Sequence, residues 1–258
     1  FFVFIMMSLF DHSSHLENTC KSEILSLKPI YLDSLIFPRL DSNDVLIHHY
    51  AYSIVYDNAH EQSKWVCYKI SSEFELGIYK RTNSFKEDPL VPGGSACHAD
   101  YKGSGYDRGH LVPAADMTWS EVAMKESFYY SNISPQTPSF NRGIWKRLES
   151  RIRKWGLDFD SLYVTIGPLL IDSLDVIGSD VSVPMHFYKT VVSFREGKPF
   201  SSISFILENN GSKSKLQDFV ISTDSLEKIS NINFNYNMNR RLQDSLETHL
   251  NLSQWSWP

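Results

Sequence analysis

The sequence Tyr106-Asp107-Arg108-Gly109-His110 is followed by Ser131-Asn132-Ile133-Ser134-Pro135-Gln136 and then by Asn141-Arg142-Gly143-Ile144-Trp145-Lys146-Arg147-Leu148-Glu149. Together these segments supply an imidazole, two asparagine amides and a carboxylate, surrounded by guanidinium groups. Hydrolysis of a phosphodiester needs a base for water, a site for a hard cation and positive charge for the anionic transition state. The three segments therefore predict a site for this chemistry.

Around these segments, runs of β-branched and aromatic residues predict strands. The runs cover residues 49–56 and 65–70, joined by a polar turn, and residues 161–166, 187–194 and 201–207. Residues 86–105 contain several Pro and Gly residues and predict a loop, and Pro135 and Pro138 predict an extended loop. Adjacent strands with few helices predict an α+β fold with a central, mostly antiparallel sheet flanked by helices.

The sequence predicts helices at three places. One covers residues 119–130, and another follows the capping residues of 222–227. The helix of the site spans about fourteen residues, with Asn141 at its N-cap and its end near Gly156. Its apolar stripe consists of Ile144, Leu148, Ile152 and Trp155. An adjoining stripe, at steps of four, consists of Asn141, Trp145, Glu149 and Arg153.

The composition is that of a compact protein, with 258 residues of which 42% are hydrophobic. No linker rich in Pro, Gly or Ser divides the chain, so residues 29–258 are predicted to form a single domain. The formal net charge of −5 argues against a protein that coats nucleic acid, because such binding depends on basic side chains. Residues 142–154 nevertheless hold six basic side chains and one acidic one. This run indicates either a directional basic stripe or a solvated helix face.

Residues 1–28 are predicted to be an apolar N-terminal segment and a linker. The ten residues from Phe1 to Phe10 are nearly all apolar, but a helix needs about 20 such residues to cross a bilayer. Their length suits an export signal, so we expect a periplasmic or secreted protein, although no basic leader or cleavage site is visible. A short membrane anchor and a buried terminal strand are the alternatives. Stable membrane insertion of the remaining chain is not expected.

The three cysteines, Cys20, Cys67 and Cys97, are too scattered for a zinc cluster and lack C-x-x-C spacing. Export would permit a disulfide between Cys67 and Cys97 and would leave Cys20 free. Free thiols at Cys67 and Cys97 are equally compatible with the sequence.

His110 is the best candidate for a general base among the nine histidines, because a neutral imidazole can accept a proton from water. Asp107 and Arg108 precede it, and Gly109 is expected to permit a backbone conformation that other residues resist. A purely structural histidine is the alternative.

Asn141 and Glu149 are the candidate metal residues. Mg²⁺ keeps several waters and often takes only one or two oxygen ligands from protein, so the Asn141 amide could anchor it. Glu149 could then hold metal-bound waters. In the competing interpretation, Asn141 is only an N-cap and Glu149 pairs with Arg153 at i, i+4.

Residues 107–149 resemble the DNA/RNA non-specific endonuclease family, the ββα-metal nucleases. The D-R-G-H signature is intact at 107–110, and the S-N-[IM]-[ST]-P-Q and N-x-G-x-W-x-x-L-E elements are present at 131–136 and 141–149. Residues 81–85 resemble the family's R-x-N-x-F segment, and residues 183–189 resemble a later strand. The similarity extends from about Tyr50 to Leu250. Three linked motifs in this order are specific, whereas D-R-G-H alone is not.

The resemblance implies a ββα-metal catalytic motif and a role for each matching residue. His110 would be the general base, Asn141 the direct metal ligand and Glu149 a ligand through water. Asn132 would support the histidine and phosphate side of the site. Arg81 would contact the phosphate.

The same resemblance assigns supporting positions. Arg153 falls, by spacing alone, where a second phosphate-stabilising arginine is expected. Asp107, Arg108 and Gly109 would shape the site without performing the reaction.

The implied activity is a Mg²⁺-dependent, sequence-non-specific endonuclease, with Mn²⁺ as a substitute metal. Water activated by His110 would attack phosphorus and leave 5′-phosphate and 3′-hydroxyl ends. The implied partners are DNA and RNA, held through the phosphate backbone, and a homodimer is left open.

A nucleic-acid-binding relative that has lost catalysis is the rival from another class, because it could keep the basic helix without cutting. A different hydrolase is disfavoured, since the sequence lacks G-x-S-x-G, H-E-x-x-H and G-x-x-x-x-G-K-[ST].

Overall fold

The computed structural model describes residues 32, 34–171 and 173–257. The apolar segment predicted at 1–28, and Cys20 with it, lies outside the described residues. The strands of the described part are β1 Leu46–His48, β2 Tyr52–Asp57, β3 Gln62–Ser71, β4 Asp107–His110, β5 Ile133–Gln136, β6 Ser161–Pro168, β7 Val176–Ile177, β8 Val181–Ser182, β9 His186–Arg195, β10 Lys198–Glu208 and β11 Val220–Ile221. Its α-helices are α1 His98–Tyr101, α2 Glu121–Glu126, α3 Lys146–Trp155, α4 Thr223–Ser230 and α5 Arg240–Thr248. Within these ranges, no helix combines the length and apolar character needed to cross a membrane.

A seven-stranded antiparallel sheet in the order β1-β2-β3-β6-β9-β10-β11 forms the centre of the fold. The two upstream runs predicted as strands form the hairpin β2–β3, and the three downstream runs form β6, β9 and β10. Val66 on β3 lies opposite Ile166 on β6, which joins the two halves of the chain. The predicted α+β fold with a central antiparallel sheet is confirmed.

The central strands contribute to two hydrophobic layers, one on each face of the sheet. Val66 belongs to the layer that contains Leu148 of α3. Its neighbour Trp65 belongs to the layer that contains Leu226 of α4. Successive strand residues point to opposite faces, so a sheet covered on both faces needs apolar side chains at nearly every position. This explains why β6 is buried along its full length.

The cysteines Cys67 and Cys97 are both free, which contradicts the disulfide alternative. Cys67 is buried on β3, with its Sγ 2.9 Å from the Oγ1 of Thr165 on β6. Burial raises the pKa of the Cys67 thiol to about 12. Cys67 therefore serves as a small core residue.

A separate two-stranded sheet is formed by β4 and β5. This sheet corrects the prediction of an extended loop, because Pro135 lies in β5 opposite Arg108. A proline has no backbone N–H to donate. It is tolerated in β5 because this sheet has only two strands, so no third strand lies beside β5 to need a hydrogen bond from that position.

The helix predicted over residues 119–130 is shorter than expected. It is α2, which Ser120 caps by accepting a hydrogen bond from the Ala123 N–H. Beyond it, Phe128 and Tyr130 form backbone hydrogen bonds with Lys86. Those bonds to a distant segment replace the bonds that would have continued the helix.

The segment before α3 is a π-helical turn, Phe140–Trp145, in which Gly143 has non-helical dihedral angles. Asn141 lies inside this turn, where its backbone N–H donates to the Thr137 carbonyl at 2.9 Å. The prediction that Asn141 is the N-cap is therefore wrong, because the helical turn begins before it. The predicted apolar stripe is buried against the sheet. The order β4, β5, helix gives the ββα arrangement.

Candidate active site

The β4–β5 hairpin positions His110, the last residue of β4, opposite Ile133. Gly109 is needed here for close packing, because a Cβ at this position would overlap the side chain of Gln136. Its φ does not lie in the left-handed region, so the expected reason for the glycine is wrong. The motif-shaping role predicted for Gly109 stays a prediction, with side-chain volume as its physical basis.

Asn132 fixes the chain just after His110. Its amide nitrogen donates to the carbonyls of Val112 and Ser127 at 3.1 and 2.8 Å, and its Oδ1 accepts from the Val112 N–H at 2.8 Å. The side chain is fully buried. Both amide hydrogens are thus engaged inside the protein. The role of Asn132 in supporting the histidine and phosphate side of the site stays a prediction, and its amide has no donor left for a phosphate.

The imidazole of His110 is only 8% exposed, and its Nε2 has no hydrogen-bond partner within the described ranges. The rings of Phe85 and Phe128 lie beside it, with centroids 5.5 and 4.8 Å from the imidazole centroid. Burial, reinforced by the charges of Arg81 and Arg108, lowers the pKa of His110 to about 3. The imidazole of His110 is therefore neutral near pH 7, and its Nε2 is open to a hydrogen bond.

Arg81 lies between the hairpin and the helix. Its Nε donates to the Oδ1 of Asn83 at 2.7 Å, and its guanidinium carbon lies 5.0 Å from the centroid of the Phe128 ring. The charge of Arg81 reinforces burial in lowering the pKa of His110, and it partly opposes the burial that raises the pKa of Glu149. A single guanidinium is therefore within electrostatic reach of both the candidate base and the candidate metal residue.

Asp107 ties the hairpin to the helical segment. Its Oδ2 accepts hydrogen bonds from the Asn141 amide nitrogen at 2.9 Å and from the Arg142 Nε at 2.8 Å. The hydrogen bond from Arg142 is the main reason that the pKa of Asp107 is lowered. Arg108 on the same strand lies 4.0 Å from the centroid of the Phe85 ring.

Glu149 faces a buried lysine, and not the arginine of the competing interpretation. The Oε1 of Glu149 lies 3.8 Å from the Nζ of Lys189 on β9. Arg153 instead donates through its Nε to the carboxylate of Asp116. The i, i+4 pair of Glu149 with Arg153, which belonged to the competing interpretation, is therefore not formed, because a buried carboxylate from another part of the chain binds the arginine.

Glu149, Asp116, Lys189 and Arg153 form a group of two acidic and two basic side chains whose opposite charges partly offset one another. Burial raises the pKa of Glu149 and lowers the pKa of Lys189. Burial also raises the pKa of Asp116, which accepts a further hydrogen bond from the Tyr68 hydroxyl at 3.0 Å. Sequence reasoning missed Lys189 and Asp116. The only signal for Lys189 was a lysine within an otherwise apolar strand run.

The basic run 142–154 does not form a single stripe. Arg142 binds Asp107 and Arg153 binds Asp116. Arg147 and Arg151 donate to the carbonyls of Ser214 and Ser256, each at 3.2 Å. A single directional stripe does not describe this run, since four of its cations make contacts in different directions. Arg142, Lys146, Arg147 and Lys154 are exposed, which agrees with a solvated helix face.

A cavity of about 440 Å³ lies beside the hairpin. Of the predicted site residues, it brings together Arg81, Asp107, Arg108 and Asn141 in one lining. His110, Asn132, Glu149 and Arg153 are not in that lining. A larger cavity of about 590 Å³ beside Lys64 and Asp224 contains no predicted site residue. Cavity size alone therefore does not identify the site.

The oxygen atoms of Asn141, which lines this cavity, and of Glu149, which does not, are of the kind that binds a hard divalent cation. The Oδ1 of Asn141 accepts no hydrogen bond from the described residues, since only its amide nitrogen is engaged. The Glu149 carboxylate likewise accepts none within that part of the chain and has Lys189 as its nearest ion-pair partner. Neutral and anionic oxygens are the ligands that Mg²⁺ takes in proteins.

The sequence model of the DNA/RNA non-specific endonuclease family matches residues 36–241. The chain belongs to this family. Among its relatives, mouse mitochondrial nuclease EXOG is 36% identical over 201 residues, a match that covers 71% of this chain and 55% of EXOG. Bovine mitochondrial endonuclease G is 33% identical over 199 residues and is covered to 67%. The chain thus spans little more than half the length of the EXOG relatives that it matches.

The fold is also similar to that of a solved relative. A crystal structure of the EndoG/EndoGI complex, described as showing how EndoG is inhibited, matches with a TM-score of 0.70 and 29% identity. The match covers 80% of this chain and 90% of the solved one.

The prediction of an exported protein is contradicted. EXOG, endonuclease G and nuclease 1 of Schizosaccharomyces pombe, which is 36% identical over 172 residues, are all named as mitochondrial proteins. An apolar N-terminal run alone could not separate an export signal from other kinds of apolar segment.

Proposed function

We propose that the protein is a metal-dependent endonuclease that hydrolyses phosphodiester bonds of DNA and RNA without sequence preference. Membership of the family and the nuclease names of its relatives support this activity. The structural observation that carries it is the neutral, buried His110, whose Nε2 has no partner within the described ranges, beside an arginine that also reaches Glu149.

In the proposed reaction, the Nε2 of His110 accepts a proton from a water molecule. The oxygen of that water forms a bond to phosphorus as the bond to the 3′ oxygen breaks. The departing 3′ oxygen takes a proton from solvent water, and His110 later releases its proton to solvent. The products have 5′-phosphate and 3′-hydroxyl ends, and no ribose 2′-hydroxyl is needed. The low pKa of His110 keeps it neutral in the free protein, and a phosphate placed beside Arg81 would offset the cation and raise its proton affinity.

Mg²⁺ is the proposed metal, with Mn²⁺ as its substitute. Asn141 would hold it directly through Oδ1, and Glu149 would hold it through water. When bound, the ion supplies positive charge beside the phosphate as its negative charge increases. Arg81 is the arginine that we assign to the phosphate. We assign Arg153 an electrostatic role: it binds Asp116, and its positive charge opposes the rise in the pKa of Glu149.

We further infer a mitochondrial location, which rests on the names of the relatives. Imaging of the tagged full chain beside a mitochondrial marker tests this proposal. A signal that does not overlap with the marker would contradict it.

The activity is tested by incubating the purified chain with plasmid DNA and with RNA, each with Mg²⁺ or with EDTA. We expect both substrates to be cut with Mg²⁺ and neither with EDTA, and we expect 5′-phosphate termini by end labelling. Binding without cutting would instead support the catalytically silent relative. Asn141→Ala should abolish metal-dependent cutting, and unchanged activity and Mg²⁺ titration in that variant would remove Asn141 as the direct ligand.

A further inference from the structure

The cavity beside the hairpin reaches the short helix α1, whose residues have no role in the reaction described above. His98 and Lys102 line it together with Arg81, Arg108 and Asn141. Both are exposed, and neither side chain has an ion pair among the described residues. We infer that His98 and Lys102 form a subsite for a second phosphodiester of the bound polynucleotide, next to the phosphate that is cut. This inference rests on the proposed nuclease function.

The charges of the lining favour an anion. The lining contains the basic side chains of Arg81, Lys102 and Arg108, and its single carboxylate is that of Asp107. That carboxylate already accepts hydrogen bonds from Arg142 and Asn141. The cavity is therefore locally positive although the whole chain has a net charge of −5. A cleft with one sign of charge concentrates oppositely charged ligands.

The acidic residue of α1 does not neutralise Lys102. The carboxylate of Asp100 accepts hydrogen bonds from the backbone N–H groups of Cys97 at 2.8 Å and Ser179 at 3.1 Å. It is thereby committed to the start of α1 and to the turn between β7 and β8. Lys102 is left to face the cavity without a counter-ion from its own segment.

Helix α1 is also held at a fixed place relative to the candidate base. The hydroxyl of Tyr101, a buried residue, donates to the carbonyl of Ile133 at 3.3 Å. Ile133 is the residue that pairs with His110 across the hairpin. The position of His98 and Lys102 is thus set by the same hairpin that positions the imidazole. Recognition of a neighbouring phosphate requires that the segment carrying the cation be held in place relative to the base, and the Tyr101–Ile133 hydrogen bond does this for the backbone of α1.

Interactions of this kind involve phosphate and no base edge, so they fit DNA and RNA of any sequence. They also require a substrate with at least two phosphodiesters. A dinucleoside monophosphate has only the bond that is cut and cannot occupy the subsite. Substrate length, and not sequence, should therefore determine whether α1 contributes to binding.

The test compares Lys102→Ala and the double variant His98→Ala/Lys102→Ala with the wild-type chain, on a single-stranded DNA oligonucleotide and on a dinucleoside monophosphate. On the oligonucleotide, KM should rise several-fold with kcat unchanged. The slope of log(kcat/KM) against log[salt] should become shallower by about 0.7 for each phosphate of the single strand that the variant no longer neutralises. On the dinucleoside monophosphate, neither variant should differ from the wild type. Lys198→Ala, an exposed lysine at the start of β10, is the matched control and should change nothing.

A second readout does not depend on cutting. Fluorescence anisotropy with a labelled oligonucleotide in EDTA should show weaker binding by the double variant than by Lys198→Ala. If the wild-type chain cuts but the double variant has the same KM, salt slope and affinity, the subsite is refuted and the nuclease proposal stands. If the wild-type chain cuts neither substrate, the nuclease proposal fails and the subsite fails with it.

Discussion

The hairpin that carries His110 and the helix that carries Glu149 handle buried ionisable groups in opposite ways. His110 lies among aromatic rings and near two arginines, and no carboxylate of the described residues bonds to it. Glu149 lies beside Lys189 and within electrostatic reach of Asp116 and Arg153. Burial and the neighbouring arginines keep His110 neutral, whereas the cations Lys189, Arg153 and Arg81 partly offset the burial and the Asp116 charge that raise the pKa of Glu149.

The difference follows from what each side has to do in the proposed reaction. A base must be free of a proton before water arrives, and burial beside cations achieves this for an imidazole. A residue that holds metal waters must be anionic, and a buried carboxylate stays charged only if opposite charges surround it. The site thus combines a buried imidazole kept neutral with a carboxylate kept beside cations. A substitution can disrupt either arrangement without changing the other.

The largest expected effect comes from His110→Ala, which removes the base and leaves the charge network in place. Activity should fall by about 10² to 10⁴, the range typical of a positioned general base. Initial rates of plasmid cutting measure this loss, and circular dichroism checks the fold. His249→Ala is the control, since His249 is exposed and far from the hairpin in sequence. Near-normal cutting by His110→Ala would refute the assignment.

Arg153→Ala tests the charge balance on the helix side. It leaves the buried carboxylate of Asp116 without its ion-pair partner, and breaking a buried pair in this way costs about 3–5 kcal/mol. The free energy of unfolding from urea titration measures the loss. The double variant Arg153→Met/Asp116→Leu should recover much of it, because no buried charge is then left unpaired. If Arg153→Ala left the free energy of unfolding unchanged, the ion pair of Arg153 with Asp116 would not be needed to stabilise the buried carboxylate.

Asn132→Ala tests the hairpin side through its backbone. Three buried hydrogen bonds would be lost, each contributing about 1 kcal/mol, so we expect a loss of about 3 kcal/mol. Asn239→Ala is the matched comparison, since it removes one capping bond at the start of α5 and should cost about 1 kcal/mol. Equal losses for the two variants would show that the Asn132 amide does not hold the chain after His110.

The smallest effect concerns pH. The pKa of His110 in the folded protein is about 3, below the ordinary histidine value of 6.5, so the unfolded state binds more protons between these values. Stability should therefore fall as pH decreases from about 6.5, by up to about 1.4 kcal/mol per pH unit from this group. His110→Gln should flatten that dependence in urea titrations at pH 7 and pH 5. An identical dependence in wild type and variant would contradict a neutral, buried imidazole.

Much of the fold could be predicted because its signals are local. The strand runs were visible as β-branched and aromatic segments, and Ser222 caps α4 by accepting from the Ser225 N–H, as its sequence indicated. The strand β5 could not be predicted, since Pro135 is a strong local signal against a strand and only its pairing with Arg108 explains it. The turn at Gly143 likewise depends on tertiary contacts and not on helix propensity.

The candidate site was less predictable than the fold. The motifs indicated His110, Asn141 and Glu149, but the partners of these residues lie far away in sequence. Lys189 reaches Glu149 from β9, and Asp116 takes Arg153. Periodicity along a helix identifies which side chains share a face, and it contains no information about which distant residue faces them.

The double hydrogen bonding of Asp107 has an evolutionary consequence. This carboxylate lies on the strand that carries His110, and it accepts hydrogen bonds from Asn141 and Arg142 in the turn before α3. It therefore links the strand and the turn. A homologue with a substitution only at this position would still display every residue assigned to the chemistry, yet it would lose the hydrogen bonds that set the distance between the two segments. Surveys that infer activity by checking only for the histidine and the asparagine would not detect this loss.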